Sequence, residues 1–272
     1  MEVYEACIGG VEEIGLTARL TVETPQVQIS ATEYVARAHA RTLHHFPSAD
    51  WAHDEQPILG SLTKGELISL YKVQMFKRTQ PGRQYYDRLL NSAPHSKCPM
   101  CGFGHVSTLD HHLPKARYPL FSVLPANLVP SCTDCNKGKG AQVLNGLNDI
   151  SHPYFEDSRI ETDSWLHASV NETSPATAAF SVVAPAHWPA DLSRRVVNYF
   201  VDLKLPRRFS IEAGSELISL SGYLEQLETS PQIRTYLQKI AQVERNIGRN
   251  SWKAALYAAL SESAWYLDGG YL

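Results

Sequence analysis

The chain lacks any apolar run near the ~18–20 uninterrupted residues that a membrane-spanning helix needs. Its first residues, MEVYEACIGGVEEIG, carry acids where a secretory signal carries basic residues before an apolar stretch. The expectation is therefore a cytoplasmic protein with no membrane contact. Glycine and proline are not in excess, and there is no repeat or low-complexity tract, so the composition is that of an ordinary globular protein rather than a disordered one. Net positive charge is also missing. The formal charge is −3, which argues against a protein wrapped in nucleic acid.

What is present is enough chain, 272 residues with 43% hydrophobic, for one large domain or two smaller ones. The basic residues are unevenly spread. Lys64, Lys72, Lys77, Arg78, Arg83 and Arg88 face only Glu66 and Asp87 over one stretch. Lys97, Lys115, Arg117, Lys137 and Lys139 face only Asp110 and Asp134 over the next. A basic face in the middle of the chain is one reading, and a solvated helix surface is the other.

Local patterning predicts a mainly helical chain. LTARLTVET has the composition of a strand, and S-A-T-E at Ser30–Glu33 matches a capping box that opens a helix running to Pro47. T-K-G-E at Thr63–Glu66 opens a second helix, and RQYYDRLLNSA a third after the Pro81–Gly82 turn. HVSTLDHH alternates as a strand, and CTDCNKGKG turns into a helix. Beyond Pro153, AAFSVVA reads as a strand, and helices follow at DLSRRVVNYFVDLKL, 210–227, 231–247 and 251–267.

Four of the five cysteines fall in two CxxC pairs, Cys98/Cys101 and Cys132/Cys135, separated by thirty residues; Cys7 stands apart as a free or buried thiol. Disulfides are rare in the cytosol, where paired CxxC turns hold metal or do redox work. Each turn points two thiolates to one side, and two turns complete the closed tetrahedral set of structural Zn²⁺. An iron–sulfur cluster or redox disulfides are the alternatives. His95 and His105, beside the first pair, read as surface residues because four thiols already suffice.

Between the pairs lies Asp110-His111-His112-Leu113-Pro114, then Asn127-Leu128, and directly after the last cysteine Asn136-Lys137-Gly138-Lys139. In this order the residues resemble the HNH nuclease family, over about fifty residues. The resemblance implies an α+β, mainly helical protein with a central ββα-metal module stapled by the four-cysteine zinc site. It divides the chain into an N-terminal helical region 1–94, the module 95–150 and a C-terminal mainly helical region 151–272. It also implies His111 as general base, Asp110 and Asn136 as ligands of a catalytic Mg²⁺ or Mn²⁺, and Asn127 as the residue that ties the loop. Lys115, Lys137 and Lys139 become substrate contacts. His112 stands where the family is usually apolar and is a second candidate for the base.

The chemistry of these residue types agrees. Phosphodiester hydrolysis needs a deprotonated water and a cation at the phosphate; histidine titrates near neutrality, and Asp and Asn offer hard oxygen ligands. The longer run from Leu109 to Gly140, with HPYFED after it, resembles HNH proteins of bacterial anti-phage operons such as the Septu and Zorya systems. That implies DNA as substrate and companion defence proteins as partners. An RNA-directed nuclease and a non-catalytic zinc-dependent binding module are the alternatives. Taken singly, Asp110 can be a turn residue and Asn136 a helix cap.

Overall fold

The computed structural model describes residues 1–272 and divides them into two compact units, Met1–Glu156 and Asp157–Leu272. The first opens with three helices, α1 (Glu2–Ile8), α2 (Ile14–Val22) and α3 (Thr24–Ala40). Two local expectations fail here. The threonine-rich LTARLTVET is helical, because Leu16 and Leu20 bury one face at i,i+4 spacing. The Thr17 and Thr21 hydroxyls turn back onto the carbonyls of Glu13 and Thr17, at 3.0 and 2.8 Å. Ser30 is not a cap but a mid-helix residue of α3, which starts earlier, with Pro25 in its first turn where a missing N–H costs nothing. The helix ends before Pro47, at Arg41, which adopts the left-handed conformation at φ 60°.

A short hairpin, β1 (Pro57–Leu59) and β2 (Leu62–Thr63), leads into α4 (Lys64–Ser69). There the Thr63–Glu66 capping box forms as the pattern predicts. The helix continues as a π turn, Leu70–Met75, before α5 (Arg83–Leu90). Strands β3 (Thr108–His111) and β4 (Leu128–Ser131) then pair antiparallel, joined by two 3₁₀ turns, and α6 (Thr133–Lys139) follows. The ββα order is thus present.

This hairpin shares its core with the preceding helices: Leu109, Val123 and Leu128 pack in one cluster with Tyr4, Cys7, Leu20, Leu67 and Met75. A second cluster gathers Tyr34, Leu43 and Phe46 with Leu113, Tyr118 and Phe121. Asp110, His111 and His112 therefore lie between Leu109 of one core and Leu113 of the other. The line at 94/95 marks no separation, and the unit runs on past 150 to Glu156.

The second unit holds α7 (Arg159–Thr162), a hairpin β5 (Leu166–Asn171) and β6 (Thr177–Val182), and helices α8 (Ala190–Asp202), α9 (Leu205–Leu224), α10 (Ser230–Ile247) and α11 (Trp252–Glu262). The sequence reading finds β6 but not its partner β5. The hairpin packs on α9 and α11. Asn250 ties it down: its Oδ1 accepts from the Trp165 and Leu166 amides, and its Nδ2 donates to the carbonyls of Ile160 and Asp163. No helix of the protein is long and apolar enough to cross a membrane.

Candidate metal centre and active site

The two CxxC turns close on one another. The Cys98 amide donates to the Gly104 carbonyl at 2.8 Å, the Gly102 amide to the Cys98 carbonyl at 2.8 Å, and Gly102 takes φ +77°, a conformation glycine enters freely. Cys132 is the N-cap of α6, its sulfur accepting from the Cys135 amide. All four thiols are buried, none is in a disulfide, and their sulfurs lie within 4.8 Å of one another.

The set fits zinc. A tetrahedral ion with bonds of about 2.3 Å to sulfur separates its ligands by about 3.8 Å, and the Cys101 and Cys132 sulfurs are 3.9 Å apart. Gly104 leaves them room: a Cβ there would meet the Cys132 sulfur at 2.9 Å. Hydrogen bonds among the thiols hold Cys98 at about 6 and Cys132 lower, and push Cys101 and Cys135 up, as expected of four thiols packed at distances that only a cation lets all ionise. His95 and His105 are exposed and outside the cluster.

On β3, Asp110 faces Val129 and His111 faces Leu128 across the hairpin, and the His112 amide extends the ladder to the Asn127 carbonyl at 2.8 Å. His111 is buried. Its Nε2 lies 2.8 Å from the Ser122 carbonyl, which can only accept, so Nε2 carries the proton and Nδ1 holds the free lone pair of the neutral ring. Ser122 is itself fixed, its hydroxyl on the Leu67 carbonyl of α4 at 2.8 Å and on that of Pro119. Tyr71, in the π turn, packs edge-on against the His111 ring at 4.4 Å. Burial, then the charge of Lys115, holds His111 well below the ordinary histidine range.

Asp110 meets Lys139, whose Nζ is 2.7 Å from Oδ2, with both side chains buried. The same ammonium binds the carbonyls of His111 and His112. Burial pushes the Asp110 carboxyl up and the Lys139 ammonium down, and each charge pulls the other back. Lys139, which the resemblance implied as a substrate contact, is placed here in the interior. It is the buried counter-ion of Asp110, because α6 turns its last residues in against β3. Lys137 is exposed, Asn136 half-buried in the first turn of α6, and Lys115 half-buried over the Tyr71 ring at 5.3 Å.

Asn127 is fully buried and pins the loop around His111. Its Nδ2 donates to the carbonyls of Leu113 and Phe121, and its Oδ1 accepts from the Leu113 amide and the Tyr34 hydroxyl. Behind it lies a residue outside the motif. His152 Nδ1 accepts from the Tyr154 amide, so Nε2 carries the proton toward the Tyr34 hydroxyl 3.2 Å away. Its ring lies 3.9 Å from that of His112. Burial, then the Lys139 charge, lowers His152 to about 3. Sequence reasoning missed Tyr34, Tyr71, Ser122 and His152. HPYFED was the one available signal, and it placed His152 beyond the motif without linking it to Tyr34.

Fold and site together define an α+β, mainly helical protein with a buried four-cysteine cluster that could hold a metal. Among curated proteins the chain is similar to Protein ea31 of Escherichia phage lambda, 29% identical over 287 residues, which span 98% of this chain and 96% of that one. No family model and no solved structure matches.

Proposed function

We propose that this protein is a metal-dependent endonuclease of the HNH type, hydrolysing phosphodiester bonds in DNA. The observation that carries the reading is the state of His111. A backbone carbonyl holds Nε2–H, leaving Nδ1 as the lone pair, one residue from a carboxylate on a ββα frame stapled by four thiols. A neutral imidazole held in one tautomer is what a general base for water requires. The four cysteines would hold structural zinc. With all four positions filled, that ion keeps no place for substrate.

Asp110 and Asn136, at the end of β3 and the start of α6, are the hard oxygen donors for Mg²⁺ or Mn²⁺, which supplies charge neutralisation at the phosphate. In this chain Lys139 already neutralises Asp110, so a divalent ion competes with an ammonium for that carboxylate. Asn127 and Ser122 act through His111 as positioning residues. The resemblance to anti-phage operon proteins adds companion proteins that control activity.

The test is plasmid cleavage by zinc-loaded protein with Mg²⁺ or Mn²⁺, beside reactions with neither ion and with His111→Ala. Cleavage that needs the ion and His111 supports the reading. A folded, zinc-loaded protein that cleaves neither DNA nor RNA, alone or with its operon partners, removes it in favour of a binding module.

A further inference from the structure

The π turn that continues α4 carries Tyr71 against His111 and sets Lys72 near Lys115. A π turn widens the helix by one residue per turn and is often found where side chains must be re-aimed. Tyr71 points inward, buried, with its ring edge-on to His111 and its hydroxyl on the Leu109 carbonyl at 3.3 Å. Lys72, the next residue, is exposed. From the other side Lys115 lays its ammonium 5.3 Å from the centre of the Tyr71 ring.

Neither lysine forms an ion pair or a hydrogen bond to another residue. That is unusual for Lys115, which is half-buried and close enough to Lys72 for the two charges to repel. Burial first, and Lys72 second, hold its ammonium below the ordinary lysine range, with Asp110 pulling the other way. Asp110 cannot neutralise it, because that carboxylate already faces Lys139. Lys115 and Lys139 thus share a single carboxylate, and Lys72 adds a third positive charge beside Lys115. An excess of positive charge held part-way out of water calls for an anion.

We propose that Lys115, braced on the Tyr71 ring, and Lys72 near it form a clamp for a backbone phosphate of duplex DNA beside His111. The inference rests on the nuclease reading for the identity of the polyanion. It adds that one of the two lysines comes from the helices ahead of the motif, with which the hairpin shares one core. An ammonium offers charge-assisted hydrogen bonds to phosphate oxygens and releases a condensed counter-ion for each phosphate it neutralises.

The test is fluorescence anisotropy of a labelled 20-base-pair duplex with full-length, zinc-loaded protein in buffers of rising potassium chloride without added Mg²⁺ or Mn²⁺. Lys72→Gln and Lys115→Gln should each weaken binding and lower the slope of log K against log salt by about 0.9, the double variant by about twice that. Lys115→Arg should restore the slope, and Lys239→Gln, on the second unit, should leave it unchanged. Lys72 is exposed, so its variants test the clamp even if Lys115→Gln does not fold. A folded Lys72→Gln with the wild-type slope, or no duplex binding by the wild type, overturns the clamp whatever the plasmid assay shows. Lysine-dependent binding without cleavage keeps the clamp and removes the nuclease reading instead.

Discussion

Lys139 Nζ sits 2.7 Å from Asp110 Oδ2 and also binds the carbonyls of His111 and His112, so one ammonium holds three consecutive residues of β3 and its extension. Removing one partner of a buried pair leaves an uncompensated charge, which typically costs about 3–5 kcal/mol. Lys139→Met should therefore destabilise the first unit by that order, read by urea melts. Because the pair acts as a unit, Asp110→Asn combined with Lys139→Met should cost well below the sum of the single changes. Additive costs would mean that the two side chains do not sense one another.

The same contact bears on metal. With Lys139 in place, a divalent ion must compete for Asp110; without it the carboxylate is open. Lys139→Met that folds should bind Mn²⁺ more tightly than the wild type in calorimetric titrations of zinc-loaded protein. Equal or weaker affinity would show that Lys139 and the ion do not share Asp110.

Much of this was legible in sequence, and the reason lies in spacing. The CxxC pairs, Asp110-His111 and Asn127 are read from local order, and local order fixes a ββα hairpin because the strand, the thiol turns and the helix cap are all short-range features. The pairing of Lys139 with Asp110 was not legible because burial is not a local property. At the exposed end of a short helix the lysine would be a phosphate contact, and only the packing of α6 on β3 turns it inward. Tyr34 and His152 reach Asn127 and His112 from more than ninety and about forty residues away, so no window of sequence could join them. The shared core was hidden for a related reason: the apolar residues of the hairpin have their partners in α1, α2 and α4.

The four-cysteine cluster yields a test at a residue with no ligand atom. A Cβ at position 104 would lie 2.9 Å from the Cys132 sulfur, closer than packed atoms tolerate, and a tight 3.2 Å from that of Cys101. Gly104→Ala should cost about 1–3 kcal/mol as an overpacking change and speed zinc loss to a chelator. Cys132→Ser should do more, abolishing stoichiometric zinc and the native melt, since metal binding is folding energy. One zinc per chain by elemental analysis is the expected wild-type value. A Cys132→Ser protein with full zinc content would show that the metal lies elsewhere.

Asn127 satisfies four partners with one buried side chain. Asn127→Ala strands the Leu113 amide and carbonyl and the Tyr34 hydroxyl, each unmade bond costing roughly 1–3 kcal/mol if no water replaces it, and leaves the Phe121 carbonyl with the Leu124 amide alone. Tyr34→Phe loses a single bond and should cost about 1 kcal/mol. Thermal melts should rank the two in that order. Equal effects would mean that the loop is held by its hydrophobic contacts and not by Asn127.

His152 makes stability depend on pH in a direction that can be worked out. Its folded value is about 3, against about 6.5 for a free histidine. Between those values the unfolded chain binds a proton that the folded chain excludes, so stability is full above 6.5 and falls as pH drops toward 3. The slope is about 1.4 kcal/mol per pH unit for each such group. His111 and His112, also lowered by burial, add to the loss in the same direction. Thiolate protonation releases zinc over part of this range, so the difference between proteins is the cleaner measure. Urea melts at pH 7.5, 6.5 and 5.5 should show wild type losing stability faster than His152→Asn, by one proton's slope. Parallel curves would mean that His152 is charged, or solvated, in the folded protein, and the hydrogen bonds from Tyr154 and to Tyr34 would have to be redrawn.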